Sequence, residues 1–133
     1  MFNFAFVIDD SPIDLMLTTV VIQKLSLTQN VKGFNSGIAA LSFLNDIYGE
    51  GHLLPDVIFL DIYMPLMDGF SFLDSFLAID VPADKMPLIV FVSSTINDYD
   101  FQKMAGYKIR KEFVSKPVTM DTMTELATKL RVM

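Results

Sequence analysis

The chain has 133 residues, which suits one domain with one core, and 52% of them are apolar, enough to fill that core. It has no cysteine, which excludes disulfides and thiolate metal sites, and its single histidine, His52, excludes a multi-histidine metal site. A net charge of −6 is a poor fit to nucleic-acid binding, which relies on a basic footprint.

Mean hydropathy is +0.44, so a membrane reading needs a test. The longest apolar stretch, residues 86–92, falls far short of the ~20 residues a spanning helix needs. The N-terminal ten residues carry neither a basic segment nor a small-residue cleavage site, so they do not read as a signal peptide. A cytoplasmic protein with no membrane partner is the expectation.

Residues 4–8 are short and apolar and predict a strand, ended by Asp9 and Asp10. Ser11 caps the next helix, with Pro12 at its first position and Asp14 three residues after the cap. Within residues 12–25, Ile13, Met16, Leu17, Val20 and Val21 follow helical spacing. Residues 30–34 predict a second, weaker strand. Ser36 and Gly37 open a helix to about Tyr48, with Leu41, Leu44 and Ile47 on one face, and Gly49, Glu50 and Gly51 stop it. His52, in that glycine-rich loop, is expected at the surface.

Residues 57–60 predict a third strand, wholly apolar and ended by Asp61. Asp68 and Gly69 open a Phe-rich helix to about Ile79. Residues 88–92 are the fourth strand, followed by Ser93, Ser94 and Thr95, one of which is expected to cap the next helix over residues 97–105. Tyr99 and Phe101 in that helix are expected to be half-buried. Residues 113–115 are the core of a fifth strand. Thr119 caps a last helix with Met120, Met123, Leu126, Ala127 and Leu130 on one face.

Five strand–helix pairs result. Apolar strands without alternation are buried on both faces, which implies an α/β protein with a doubly wound parallel sheet and helices on each side. Ligands of such sheets bind beyond the carboxyl ends of the strands, at the switch point of strand order. Those ends carry Asp9 and Asp10, Asp61, Ser93, and Lys116 followed by Pro117; the second strand ends without a charge. Converging carboxylates repel unless a cation joins them. Oxygen-only ligands suit a hard ion such as Mg²⁺, or Mn²⁺ in its place. An aspartate can attack phosphorus to give an aspartyl phosphate. The developing phosphoryl charge needs a cation and hydrogen-bond donors, which Mg²⁺, Lys116 and the Ser93 hydroxyl would supply. Pieces for acyl transfer are lacking: there is no Cys, and no His near a Ser.

Four motifs carry a resemblance at this point. They are Phe6-Val7-Ile8-Asp9-Asp10-Ser11, the run from Leu60 through Asp61, Ile62, Tyr63, Met64, Pro65, Leu66, Met67 and Asp68 to Gly69, then Val92-Ser93-Ser94, and Phe113-Val114-Ser115-Lys116-Pro117. The chain resembles the receiver domains of bacterial response regulators, in the stand-alone, chemotaxis-regulator-like form, over almost all of residues 1–133. The resemblance implies a flavodoxin-like (βα)5 sheet of strand order 2-1-3-4-5. It implies that Asp61 is phosphorylated, and that Asp10, Asp61 and the backbone carbonyl of Tyr63 hold Mg²⁺ directly, with Asp9 holding it through water. Lys116 would pair with the phosphoryl group, and the Lys116–Pro117 bond would be cis. Ser93 would be the switch hydroxyl, with Ser94 beside it among the phosphoryl-binding residues, and Phe113 the aromatic that turns inward. Such a domain signals through a conformational switch and is no enzyme beyond its own phosphorylation and dephosphorylation. Its implied partners are a histidine kinase or histidine phosphotransfer protein and an unknown downstream protein.

Three departures from the family pattern stand out. The switch hydroxyl is Ser where Thr is commoner, the aromatic is Phe, and residues 106–112 form a longer connection carrying Lys108, Arg110 and Lys111. Two other functions share parts of the pattern. A haloacid-dehalogenase-like phosphohydrolase needs a second aspartate two residues after the nucleophile, where this chain has Tyr63. A flavodoxin-like flavin binder needs a phosphate loop that is not acidic, where this chain has Asp9 and Asp10.

Overall fold

A computed structural model of the chain describes residues 1–48 and 54–131. His52, the helix stop at residues 49–51 and the side chain of Ile47 lie outside the described residues. The order is β1 (Phe2–Ile8), α1 (Pro12–Lys24), β2 (Thr28–Phe34), α2 (Gly37–Tyr48), β3 (Val57–Asp61), α3 (Gly69–Leu77), β4 (Leu88–Ser93), α4 (Asp98–Gly106), β5 (Lys111–Ser115) and α5 (Met120–Arg131). A 3-10 turn over Ala83–Lys85, which the residue pattern does not predict, precedes β4. The strands form one parallel sheet in the order β2-β1-β3-β4-β5, as the resemblance implies.

Side chains of successive strand residues point to opposite faces, and this parity sorts the core into two layers. Phe6 and Ile8, Ile58 and Leu60, and Ile89 and Phe91 pack with Phe72 and Phe76 of α3 and Leu44 of α2. Ala5 and Val7, Val57 and Phe59, and Val90 and Val92 pack on the other face with Val21 and Ile22 of α1 and Met123 and Leu126 of α5. Both central strands, β3 and β4, are buried along their whole length, which is why they read as unbroken apolar runs. Each large apolar side chain buried this way contributes about 1.5–3 kcal/mol.

Helix α1 packs on a face other than the one its apolar residues mark. Val21 is buried, but Ile13 is 67% exposed, Met16 58%, and Leu17 and Val20 also face solvent. The face turned to the sheet runs through Asp14, Leu15, Thr18, Val21 and Ile22, with Thr18, Val21 and Ile22 buried. Apolar residues surround this helix, so their spacing does not single out one side; packing against the sheet decides. On α5, Met123, Leu126 and Ala127 are buried as expected, whereas Met120 is exposed. Tyr99 and Phe101 on α4 are exposed rather than half-buried. The cap of α4 is Asn97, whose side chain accepts from the Asp100 N–H at 2.8 Å; none of Ser93, Ser94 and Thr95 fills that role. The cap residues Ser11 and Thr119 stand where expected, each accepting from the N–H three residues on.

Candidate functional site

Strand register brings the polar strand ends level. Ile8 pairs with Leu60, so Asp9 follows β1 beside the point where β3 reaches Asp61. Asp61 pairs with Val92, which sets Ser93 one residue beyond it on β4. Ser93 pairs with Ser115, so Lys116 follows on β5, its N–H donating to the Ser93 carbonyl at 2.9 Å. Asp61 shares the strand parity of Val57 and Phe59, and Asp9 that of Ala5 and Val7, so both belong to the α1 and α5 side. Ser93 and Phe113 share the parity of Phe91, the α4 side.

Asp9 and Asp61 are buried, at 3% and 4% exposure, and Asp10 is exposed at the mouth. Oxygens of the three carboxylates lie within 4.8 Å of one another. The Lys116 ammonium lies 2.9 Å from Asp9, 3.1 Å from Asp14 and 3.5 Å from Asp61. Asp9 also accepts the Ser11 N–H at 2.9 Å, which occupies its other oxygen. Burial, with repulsion from Asp9 working against the pull of Lys116, pushes the Asp61 carboxyl up to about 7, and Asp10 adds to the rise. Burial works to lower the Lys116 ammonium, but its bonds to Asp9 and Asp14 outweigh that and hold it above the usual lysine range.

The three oxygen donors, whose charge Lys116 offsets only in part, fit a hard divalent cation. Asp9, Asp10 and Asp61 would hold it, and it would supply the charge that lets all three ionise together and that offsets negative charge on a bound anion. Among the described residues no helix is long and apolar enough to cross a membrane.

The remaining expected site residues divide. The buried Ser93 hydroxyl donates to the Thr95 carbonyl at 2.8 Å, along the loop toward α4. Ser94 is exposed, and Phe113 is half-buried against the core layer on the α4 side. The Lys116–Pro117 bond is cis. The Tyr63 side chain turns outward, 51% exposed, and its hydroxyl donates to the buried carboxylate of Asp100 in the first turn of α4. The long connection ahead of β5 is short of regular structure only over residues 107–110, and β5 begins at Lys111.

Local pattern gives two residues no part in the site: Asp14 has a sufficient role three residues after a helix cap, and Asp100 stands among acidic and aromatic residues of an unremarkable helix. The sequence does carry a signal for Asp14, which falls one turn ahead of Thr18 and two ahead of Val21, on the face that meets the sheet.

Comparison with known proteins bears on this site. The family profile described as "Response regulator receiver domain" matches residues 5–128. A hybrid signal transduction histidine kinase of Dictyostelium discoideum is 27% identical over 124 residues, 92% of this chain but 7% of that protein. A probable methanogenesis regulatory protein of Methanothrix harundinacea is 23% identical over 93% of this chain and 78% of its own length. The chain thus spans a small part of the first relative and most of the second. Among solved structures, a two-component response regulator from Cytophaga hutchinsonii superposes with a TM-score of 0.83 at 27% identity, covering 99% of this chain and 98% of that one. A response regulator receiver protein from Dyadobacter fermentans gives 0.74 at 26% identity over 96% of each chain. The chemotaxis protein CheY4 of Vibrio cholerae shares the fold, with a TM-score of 0.75 at 21% identity over 100% of both chains.

Proposed function

This chain belongs to the response regulator receiver domain family of two-component signalling, and we propose that Asp61 is its phosphoacceptor. The observation that carries this reading is the lysine contact. Lys116, from the end of β5, reaches across the sheet to Asp9 and Asp61 at the ends of β1 and β3. One cation, three clustered carboxylates and a buried hydroxyl are the parts that phosphoryl transfer uses.

In the transfer, an ionised Asp61 oxygen attacks the phosphorus of a phosphohistidine on a histidine kinase or histidine phosphotransfer protein. The new P–O bond forms as the P–N bond breaks, and the bonding pair leaves with the imidazole nitrogen, which takes up a proton. Asp10, Asp61 and the Tyr63 carbonyl would hold Mg²⁺ directly and Asp9 would hold it through water, and the ion would supply positive charge opposite the phosphoryl oxygens. Lys116 shifts from the carboxylates to a phosphoryl oxygen. Ser93, already buried and able to donate, exchanges the Thr95 carbonyl for another phosphoryl oxygen, and Ser94 lies beside it. Phe113 then packs inward on the α4 side. Residues 1–133 act as one signalling unit in the cytoplasm, changing the surface of α4, β5 and α5 for a downstream protein.

The family is a signalling domain and not an enzyme in the usual sense; self-phosphorylation from small phosphodonors is part of the proposal. Mg²⁺ with beryllofluoride or acetyl phosphate should shift the amide spectra of the residues around Asp61 and α4. Asp61→Asn should abolish the response. A wild-type protein whose spectra ignore both reagents rules the reading out. The phosphohydrolase alternative has no support at the site: the residue two after Asp61 is Tyr63, and its hydroxyl is engaged by Asp100.

A further inference from the structure

Asp14 has a sufficient local explanation as an acidic residue in the first turn of α1, where it favours the helix dipole. Its carboxylate nevertheless reaches the Lys116 ammonium at 3.1 Å, across 102 residues of sequence. The three carboxylates that cluster for a cation are Asp9, Asp10 and Asp61; Asp14 is outside that group and meets the site through the lysine. Lys116 has three N–H donors. Two make bonds of hydrogen-bond length, to Asp9 and Asp14, and its contact to Asp61, at 3.5 Å, is the longest of the three. The ammonium is therefore drawn toward the α1 wall of the crevice and stands off the acceptor.

We infer that Asp14 is a positioning residue, which holds the Lys116 ammonium against α1 and competes with the phosphoryl group on Asp61 for it. This rests on the reading of Asp61 as phosphoacceptor. Charge-assisted bonds are the strong ones, and a lysine that must leave one of them to reach a phosphoryl oxygen gives up part of what the new contact contributes. Asp14 in this way weakens the grip on a bound phosphoryl group, and shortens its residence, without touching it. The Asp14 side chain is 33% exposed, so solvent tempers the effect to that of a partly screened pair.

Beryllofluoride with Mg²⁺ serves as the phosphoryl mimic, titrated by calorimetry against wild type, Asp14→Asn, Lys116→Met, and the double variant Asp14→Asn/Lys116→Met. Asp14→Asn should bind the mimic about two- to fivefold more tightly, the range expected of a partly screened ion pair. In the Lys116→Met background, Asp14→Asn should have no effect, because the influence runs through the lysine. An affinity gain that persists in that background shows a general charge effect and overturns the inference, as does unchanged or weaker binding by Asp14→Asn. If Lys116→Met binds no mimic, the ammonium resonance of Lys116 in the metal-free protein decides: sharp in wild type and lost to exchange in Asp14→Asn, or unchanged, which overturns the inference. Failure of wild type to bind beryllofluoride at all is a different result and strikes the phosphoacceptor reading instead.

Discussion

The Tyr63 hydroxyl donates to the carboxylate of Asp100, so a residue two positions after Asp61 is tied by its side chain to the first turn of α4. Asp100 is only 4% exposed, and a buried carboxylate needs its donor. The bond to Asp100 holds the Tyr63 proton, raising that hydroxyl above the usual tyrosine range. Tyr63→Phe should lower the melting temperature by a few degrees and move the amide resonances of residues 97–101. In Asp100→Asn, the Tyr63 phenol should ionise at lower pH than in wild type, read from its ring-carbon shift. A Tyr63 titration indifferent to Asp100→Asn would show that the pair is not formed in solution.

Asp61 should make the metal-free protein less stable as pH rises. Its folded-state value of about 7 lies above the ordinary 3.8, so the folded chain holds this proton more tightly than the unfolded chain does. The stabilising effect of the retained proton is greatest below about pH 4 and is lost as pH climbs through 7. Between those limits Asp61 accounts for a loss on the order of 3 kcal/mol. Asp61→Asn should flatten this slope in denaturant titrations run across the range. Saturating Mg²⁺ should flatten it too, since a cation favours the ionised form.

Lys116 is the cation that the buried carboxylates share, so removing it leaves Asp9, at 3% exposure, beside Asp61 with no compensating charge. Lys116→Met should cost about 3–5 kcal/mol in the metal-free protein. Mg²⁺ should then raise the melting temperature of the variant by more than it raises that of wild type. Equal increments in the two proteins would contradict the shared-charge account.

Gly69 is required by a close approach. A Cβ there would lie 2.5 Å from the Asp61 carbonyl oxygen and 3.0 Å from the Ile62 Cα, and both are backbone atoms. The Gly69 N–H donates to the Ile62 carbonyl at 2.8 Å, which holds the start of α3 against the end of β3. Gly69→Ala should destabilise the fold by about 1–3 kcal/mol through overpacking. It should also weaken Mg²⁺ binding, because the loop that carries Asp61 must shift. A shifted denaturation midpoint with unchanged metal affinity would separate the two effects.

Much of this molecule can be read from residue order alone. Unbroken apolar runs at residues 57–60 and 88–92 announce strands buried on both faces, because parallel sheets covered by helices leave no wet side. Aspartates after residues 4–8 and 57–60, a serine after residues 88–92 and a lysine after residues 113–115 announce the crevice, because strands of a parallel sheet all end on one edge. Helix caps at Ser11, Asp68 and Thr119 are legible because each satisfies an N–H three residues on. Tertiary structure decided what local pattern leaves open. Helix α1 carries apolar side chains on every side, so only docking against the sheet selected Asp14, Thr18, Val21 and Ile22 as its inner face and turned Ile13, Met16 and Val20 outward. That rotation delivers Asp14 to Lys116, and the folding of α4 against the β3–α3 loop delivers Asp100 to Tyr63. Both contacts join residues at least 37 positions apart, and spacing in sequence carries no information about a pair that meets only when separate elements pack.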